Sequence, residues 1–146
     1  MAAFRLAKPQ DAKALKRLND EFNGENCNTV DGIAASLAQN PQEVVCVAEA
    51  DGAVVGFCCG QIFKSMCYSV HYGEITELYV TDKHRRSGIG RGLMAYIESE
   101  FQNQGIHDYQ LFTGKDNETA QKFYHACGYQ ETAELMLRKR IGGRAE

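Results

Sequence analysis

The sequence predicts one domain of the α/β (α+β) class, with a mixed central sheet and helices on both faces. Three observations carry that reading. The chain has 146 residues, 44% of them hydrophobic and only 2 of them proline, enough for one sizeable core with no linker. Asp51-Gly52 lies between two β-rich runs, a strong short-range signal for an antiparallel hairpin. A helical stripe then separates two further strand-like runs, so those two should be parallel neighbours.

The elements follow in order. "AAFRLA" (2–7) is a short strand, and Pro9 stands where a helix favours its first residue. Leu15, Leu18 and Phe22 recur at helical spacing until Asn23-Gly24 stops them. Thr29 is the expected N-cap of a second helix, which carries Ile33 and Leu37 and ends before Asn40-Pro41. Residues 43–50 and 53–63 form the hairpin, 64–72 a loop, and "GEITELYV" (73–80) the next strand. Ile89, Leu93, Tyr96, Ile97 and Phe101 form one helical stripe, with Gly105 as its stop. "DYQLFT" (108–113) is a strand. Ala120, Phe123, Tyr124 and Cys127 share a face of a short helix that Gly128 ends. "YQETAELMLRKRI" closes the fold as a last strand. The order is β-α-α-β-β-β-α-β-α-β, with a single domain over 1–141 and a frayed tail over 142–146.

Composition narrows the function classes. A net charge of −3 argues against a general nucleic-acid binder. No apolar run nears the roughly 20 residues of a membrane span. The N-terminus has no long apolar segment after a basic start, so a cytoplasmic protein with no membrane partner is expected. The 6 cysteines include no C-x-x-C pair, which leaves no metal-site signature and makes them small buried hydrophobes in a reducing compartment.

The segment "TDKHRRSGIGRGL" (81–93) begins where "ITELYV" ends and opens a helix. A glycine-rich turn at a helix start presents unpaired amides and the positive end of the helix dipole, which together favour an anion. The dinucleotide fingerprint G-x-G-x-x-G fails because Leu93 stands where its last glycine belongs. The P-loop fails because Gly114-Lys115 is followed by Asp116. What remains is R-x-x-G-x-G over Arg85 to Gly90, after a strand ending in Leu78-Tyr79-Val80. Downstream, Asn117, Ala120, Phe123, Tyr124, Gly128 and Tyr129 form N-x-x-A-x-x-F-Y-x-x-x-G-Y.

These two motifs, in register with the element order, resemble the GNAT superfamily of acetyl-CoA-dependent N-acetyltransferases. The resemblance implies acetyl-CoA as co-substrate and no metal. Arg85, Arg86, Ser87, Gly88, Ile89, Gly90, Arg91 and Gly92 would then hold the pyrophosphate of coenzyme A. The edge of Leu78, Tyr79 and Val80 would pair with the pantetheine arm, and Asn117 would contact the cofactor from the last helix. Tyr124 matches the family tyrosine that protonates the departing thiolate, although its apolar helix face also suits a core tyrosine.

Amine acetylation needs a base, because an ammonium has no lone pair. Glu74 and Glu77 are the strand candidates. In a regular strand they face opposite sides, whereas a bulge, common on this strand in the family, would change that. Glu77 is favoured. His71, His84, His107 and His125 form no triad or metal spacing. The family's acceptor site lies by the first two helices and the loop before the fourth strand. Asp20, Glu21 and Glu25 there, with Glu74 and Glu77, suggest an acidic mouth for a polyamine or an aminosugar, with a solvated helix end as the alternative, and Glu21, Glu25 and Tyr68 are the candidate acceptor contacts. "LxxLNDxF" and D-G-x-V-V-G are similar to small aminoglycoside 3-N-acetyltransferases. An aminoglycoside acceptor is therefore favoured, with antibiotic resistance as its consequence. Polyamines, protein N-termini or lysines, and an acyl-coenzyme A-binding module without turnover remain alternatives. A homodimer is compatible with the family, its C-terminal strand being the candidate interface.

Overall fold

The computed structural model describes residues 1–142, so the expected tail lies, from 143 on, outside the described residues. Strand β1 (Ala3–Leu6) leads through a single turn of 3-10 helix opened by Pro9 into α1 (Ala12–Asn23). Helix α2 (Val30–Gln39) follows, capped as expected: the Thr29 hydroxyl accepts from the Gly32 amide at 2.9 Å. Strands β2 (Glu43–Ala50) and β3 (Ala53–Phe63) turn at Asp51-Gly52, where both residues have positive φ. Then come β4 (Tyr72–Val80), α3 (Ile89–Asn103), β5 (Tyr109–Leu111) and α4 (Glu118–Ala126).

The sheet order is β1-β2-β3-β4-β5. All neighbours are antiparallel except β4 and β5, the parallel pair joined through α3. Alternation along β2 sorts its side chains between two cores. Val44, Cys46 and Ala48 point with Val55, Cys58 and Ile75 toward α3, whose Leu93, Met94, Ile97 and Phe101 are buried. Val47 points with Phe57 and Cys59 toward Leu15 and Leu18 of α1. Helices therefore cover both faces of a mixed sheet.

The last expected strand is a correction. Residues 129–142 form no helix or strand, and Leu135 and Leu137 are 85% and 88% exposed. Alternating apolar residues make a strand only where a sheet edge receives them, and this segment pairs with none among the described residues.

Candidate active site

Strand β4 carries one extra residue against β3. Glu77 pairs with Cys59 and Ile75 pairs with Gly60, which leaves Thr76 unpaired in a bulge. Its hydroxyl donates to the Cys59 carbonyl at 3.3 Å. Side chains in register share a face. Glu43, Gln61, Glu74 and Gln110 thus form one row across the sheet, and Val45, Cys59 and Glu77 the next. Both rows face α1 and α2. The regular-strand expectation that Glu74 and Glu77 diverge does not hold, and the bulge is the reason.

The two carboxylates sit differently within that face. Glu77 lines a cavity of about 180 Å³ with Leu15, Ile33, Phe57, Cys59 and Glu43. Among the described residues its Oε1 receives one long bond, 3.4 Å, from Asn23 Nδ2. Glu74 stands outside the cavity wall and accepts from Gln110 Nε2 at 2.9 Å. Glu21 accepts from the Tyr79 hydroxyl at 2.9 Å, and Phe22 stacks on the Tyr79 ring at 5.0 Å. Burial, then the Glu21 carboxylate, raises the Tyr79 pKa above its usual value. Glu25 and Tyr68 are exposed and lie away from the cavity wall.

Strand β5 pairs with β4 only from Gly73 to Ile75, so the β4 edge from Thr76 to Val80 has no strand beside it among the described residues. Leu78 and Val80 point toward α3 while Glu77 and Tyr79 point toward α1. The loop beyond β4 has Arg86 at φ +62° and Gly88 at φ +84°, a left-handed residue at the N-cap of α3. No side chain caps this helix, and its first turn holds no acid. Gly92 is the first amide to reach a carbonyl, that of Gly88 at 3.0 Å, so the amides of Ile89, Gly90 and Arg91 face out of the helix end.

The side chains of this loop mostly face other neighbours. Arg85 Nε donates to the Val80 carbonyl at 2.8 Å, its guanidinium lies 5.4 Å from the Tyr79 ring centre, and it pairs with Asp82. Arg91 donates to the Ala126 carbonyl at 2.9 Å, closing the end of α4. Ser87 bonds the His84 carbonyl, Arg86 is exposed, and Ile89 is buried. A Cβ on Gly92 would run into the Phe4 ring, so this glycine admits β1 against α3. His84 bridges Thr81 and Asp51, and His125 meets the Tyr129 carbonyl.

Tyr124 projects from α4 half-buried, edge-on to Phe123 at 5.2 Å and to Tyr129 at 6.4 Å. Burial raises its pKa, and the negative charge of Glu77 adds to the shift. Asn117 caps α4, its Oδ1 accepting from the Ala120 amide at 3.1 Å. Among the described residues no group of three His, Cys, Asp or Glu is placed to hold a metal ion, and no helix is long and apolar enough to cross a membrane.

One residue escaped the motif reading. Glu43 reaches the cavity because it alternates with Val45 and Val47 on the face toward α1 and α2. That period-two pattern was available in "EVVCV", but placing Glu43 opposite Glu77 needs the register of three strands.

Comparison with known proteins identifies the family and the fold. Residues 12–129 match the acetyltransferase (GNAT) family. The chain is 25% identical over 136 residues to aminoglycoside N(6')-acetyltransferase type 1 of Stenotrophomonas maltophilia, covering 91% of this chain and 89% of that one. That relative acts at N(6'), whereas the first-helix pattern resembles the 3-N enzymes. This chain is also 31% identical to mouse N-acetyltransferase 8 over 62% of its own length and 40% of that longer protein. Among solved structures, the aminoglycoside acetyltransferase AAC(6')-Iy with a bisubstrate analogue superposes at a TM-score of 0.83 and 21% identity, over 97% of this chain and 99% of that one. A ribosomal-protein-alanine N-acetyltransferase from Brucella melitensis superposes at 0.81 and 20% identity, over 97% and 100%. With a family match that covers most of its length, the chain belongs to the acetyltransferase (GNAT) family and is an acyltransferase.

Proposed function

We propose that the protein transfers the acetyl group of acetyl-CoA to a primary amine of a small cationic acceptor, with an aminoglycoside as the favoured class. The observation that carries this reading is the open β4 edge, with Glu77 on its α1 face and Tyr124 of α4 packed on the same core layer as Leu78 and Val80. The amides of Ile89, Gly90 and Arg91 at the uncapped start of α3, beside exposed Arg86, suit the pyrophosphate. The free edge at Leu78 to Val80 suits the amide-bearing pantetheine arm as an added strand. Arg85 now holds the Val80 carbonyl and would yield that acceptor to the arm.

In this reading Glu77 Oε1 takes the proton from the acceptor ammonium, freeing the lone pair. The nitrogen attacks the thioester carbonyl, and a β4 amide stabilises the oxyanion. The C–S bond then breaks, the Tyr124 hydroxyl gives its proton to the departing thiolate, the remaining extra proton on the nitrogen restores the phenol, and Glu77 releases its proton to solvent. The raised Tyr124 pKa keeps that proton in place until the thiolate forms. Two acidic residues in the cavity wall and none that is basic favour a cation over a neutral peptide segment. Acetyl-CoA and 6 free cysteines fit a cytoplasmic setting, where acetylating an aminoglycoside would confer resistance.

A thiol-release assay with aminoglycosides, polyamines and N-terminal peptides side by side tests the reading. Aminoglycosides are expected to give the highest kcat/KM. Acetyl-CoA binding without thiol release for any amine would leave a binding module in place of an enzyme.

A further inference from the structure

The cavity beside β4 has a second carboxylate whose position matters. Glu43 begins β2, and the register sets it one row from Glu77 and two strands away. Ideal sheet spacings put the two Cα atoms about 12 Å apart, with Gln61 and Cys59 between them. Both side chains turn to the same face and border the same space. The remaining walls are Leu15, Ile33, Leu37, Val45 and Phe57 with small polar groups, and no lysine, arginine or histidine lies among them. Among the described residues, neither glutamate is in an ion pair.

Two half-buried carboxylates facing one cavity of mixed lining, with no cation among its walls, leave its negative charge unbalanced. Burial raises the Glu43 pKa above its usual value, and the charge of Glu77 raises it further, while Ser36 and Gln61 favour its ionised form. A monoamine held at Glu77 would leave Glu43 unanswered. A second ammonium on the same molecule would answer it and fix the first one in place.

We propose that Glu43 is a specificity-determining residue that binds a second, unreacting ammonium of the acceptor while Glu77 serves the amine that is acetylated. The inference rests on the proposed acetyltransferase activity and adds a requirement to it: the preferred acceptor carries at least two amines a few bonds apart. Glu43 takes no proton from the reacting nitrogen. It contributes a charge-assisted contact that raises affinity and orients the neighbouring amine.

The test compares matched amines that differ only in the second nitrogen: putrescine against butylamine, cadaverine against pentylamine, and neamine beside them. For each, kcat/KM is measured on wild type, Glu43→Gln and Glu43→Asp with saturating acetyl-CoA. Wild type is expected to prefer the better diamine by about 10-fold or more, the size of one charge-assisted contact. Glu43→Gln should bring that ratio toward one, mainly through KM, and Glu43→Asp should keep part of it. The ratio is read on a single preparation, so a variant that folds less well changes both values and leaves their quotient intact. A wild-type ratio near one for every pair, or a ratio that survives Glu43→Gln, overturns the inference and leaves the acetyltransferase reading standing. Absence of turnover for all the amines, with acetyl-CoA bound, overturns both.

Discussion

Replacing Glu77 by glutamine separates a base from a mere neighbour of the acceptor. A primary amine with an ordinary pKa near 10.4 is unprotonated in only about one molecule in 10³ at pH 7. The base offsets that deficit, so its loss should lower kcat/KM at pH 7 by about 10²–10³. The structure argues for Glu77 in this role over Glu74. Glu77 lines the cavity and is restrained only by a 3.4 Å contact from Asn23, whereas Glu74 is engaged by Gln110 at 2.9 Å beside the strand that closes the edge. Glu74→Gln should therefore stay within about 3-fold of wild type. Raising the pH supplies free amine without the base, so the gap between Glu77→Gln and wild type should narrow by up to about 10-fold per pH unit below the amine's own pKa. Initial rates of thiol release from pH 6 to pH 9.5 would show it. A large loss in Glu74→Gln with Glu77→Gln near wild type would move the base to Glu74. A Glu77→Gln deficit that stays constant with pH would mean that Glu77 binds the acceptor without taking its proton.

Tyr124→Phe should lower kcat by about 10²-fold while the acetyl-CoA Kd from calorimetry changes by less than about 3-fold; equal effects would make Tyr124 a packing residue. Asp11, with its side chain 8% exposed, accepts from Arg5 at 2.7 and 2.9 Å and from the Lys8 amide at 2.9 Å. Asp11→Ala should cost about 2–4 kcal/mol, or roughly 10 °C in Tm. The Arg5 bond holds the Asp11 pKa below its usual value. Its stabilisation is therefore full above the unfolded value near 3.9 and is lost as pH falls through the lower folded value. Wild type and Asp11→Ala should converge in Tm at the acid end, and a constant difference would contradict the assignment. Gly92→Ala drives a Cβ into the Phe4 ring and should cost about 1–3 kcal/mol by thermal unfolding, with partial recovery in Gly92→Ala/Phe4→Leu.

Much of this architecture was legible from local signals. Thr29, Asp51-Gly52 and the glycine-rich turn before Ile89 mark a cap, a hairpin and a helix start because their physics is confined to a few residues. Other features depend on partners far along the chain. Gly92 reads as a member of a glycine-rich loop until Phe4 is seen against it. The run 129–141 reads as a strand, yet no edge receives it within the described chain. The site was partly legible for the same reason. Period-two counting separates Glu74 from Glu77, and only the β3 register shows that Thr76 is skipped. Glu43 joins the cavity through two strand pairings, which no motif spanning a dozen residues can encode.

The unpaired Thr76 has a consequence for how this protein tolerates change. Beyond it, Leu78 and Val80 pack against the core layer under α3, Val80 near Leu93, while Glu77 and Tyr79 face the other way. Pairing every residue of β4 in turn, with Thr76 kept and none skipped, would shift the far half of the strand by one and exchange those sets. A carboxylate and a phenol would then enter the apolar layer under α3, and two aliphatic side chains would move to the acceptor side. Removing the skipped residue itself would leave Glu77 against Cys59 and Ile75 against Gly60, with each side chain on its present face. The bulge is thus what lets the strand carry one residue more than its partner without turning Glu77 into the dry layer of the domain.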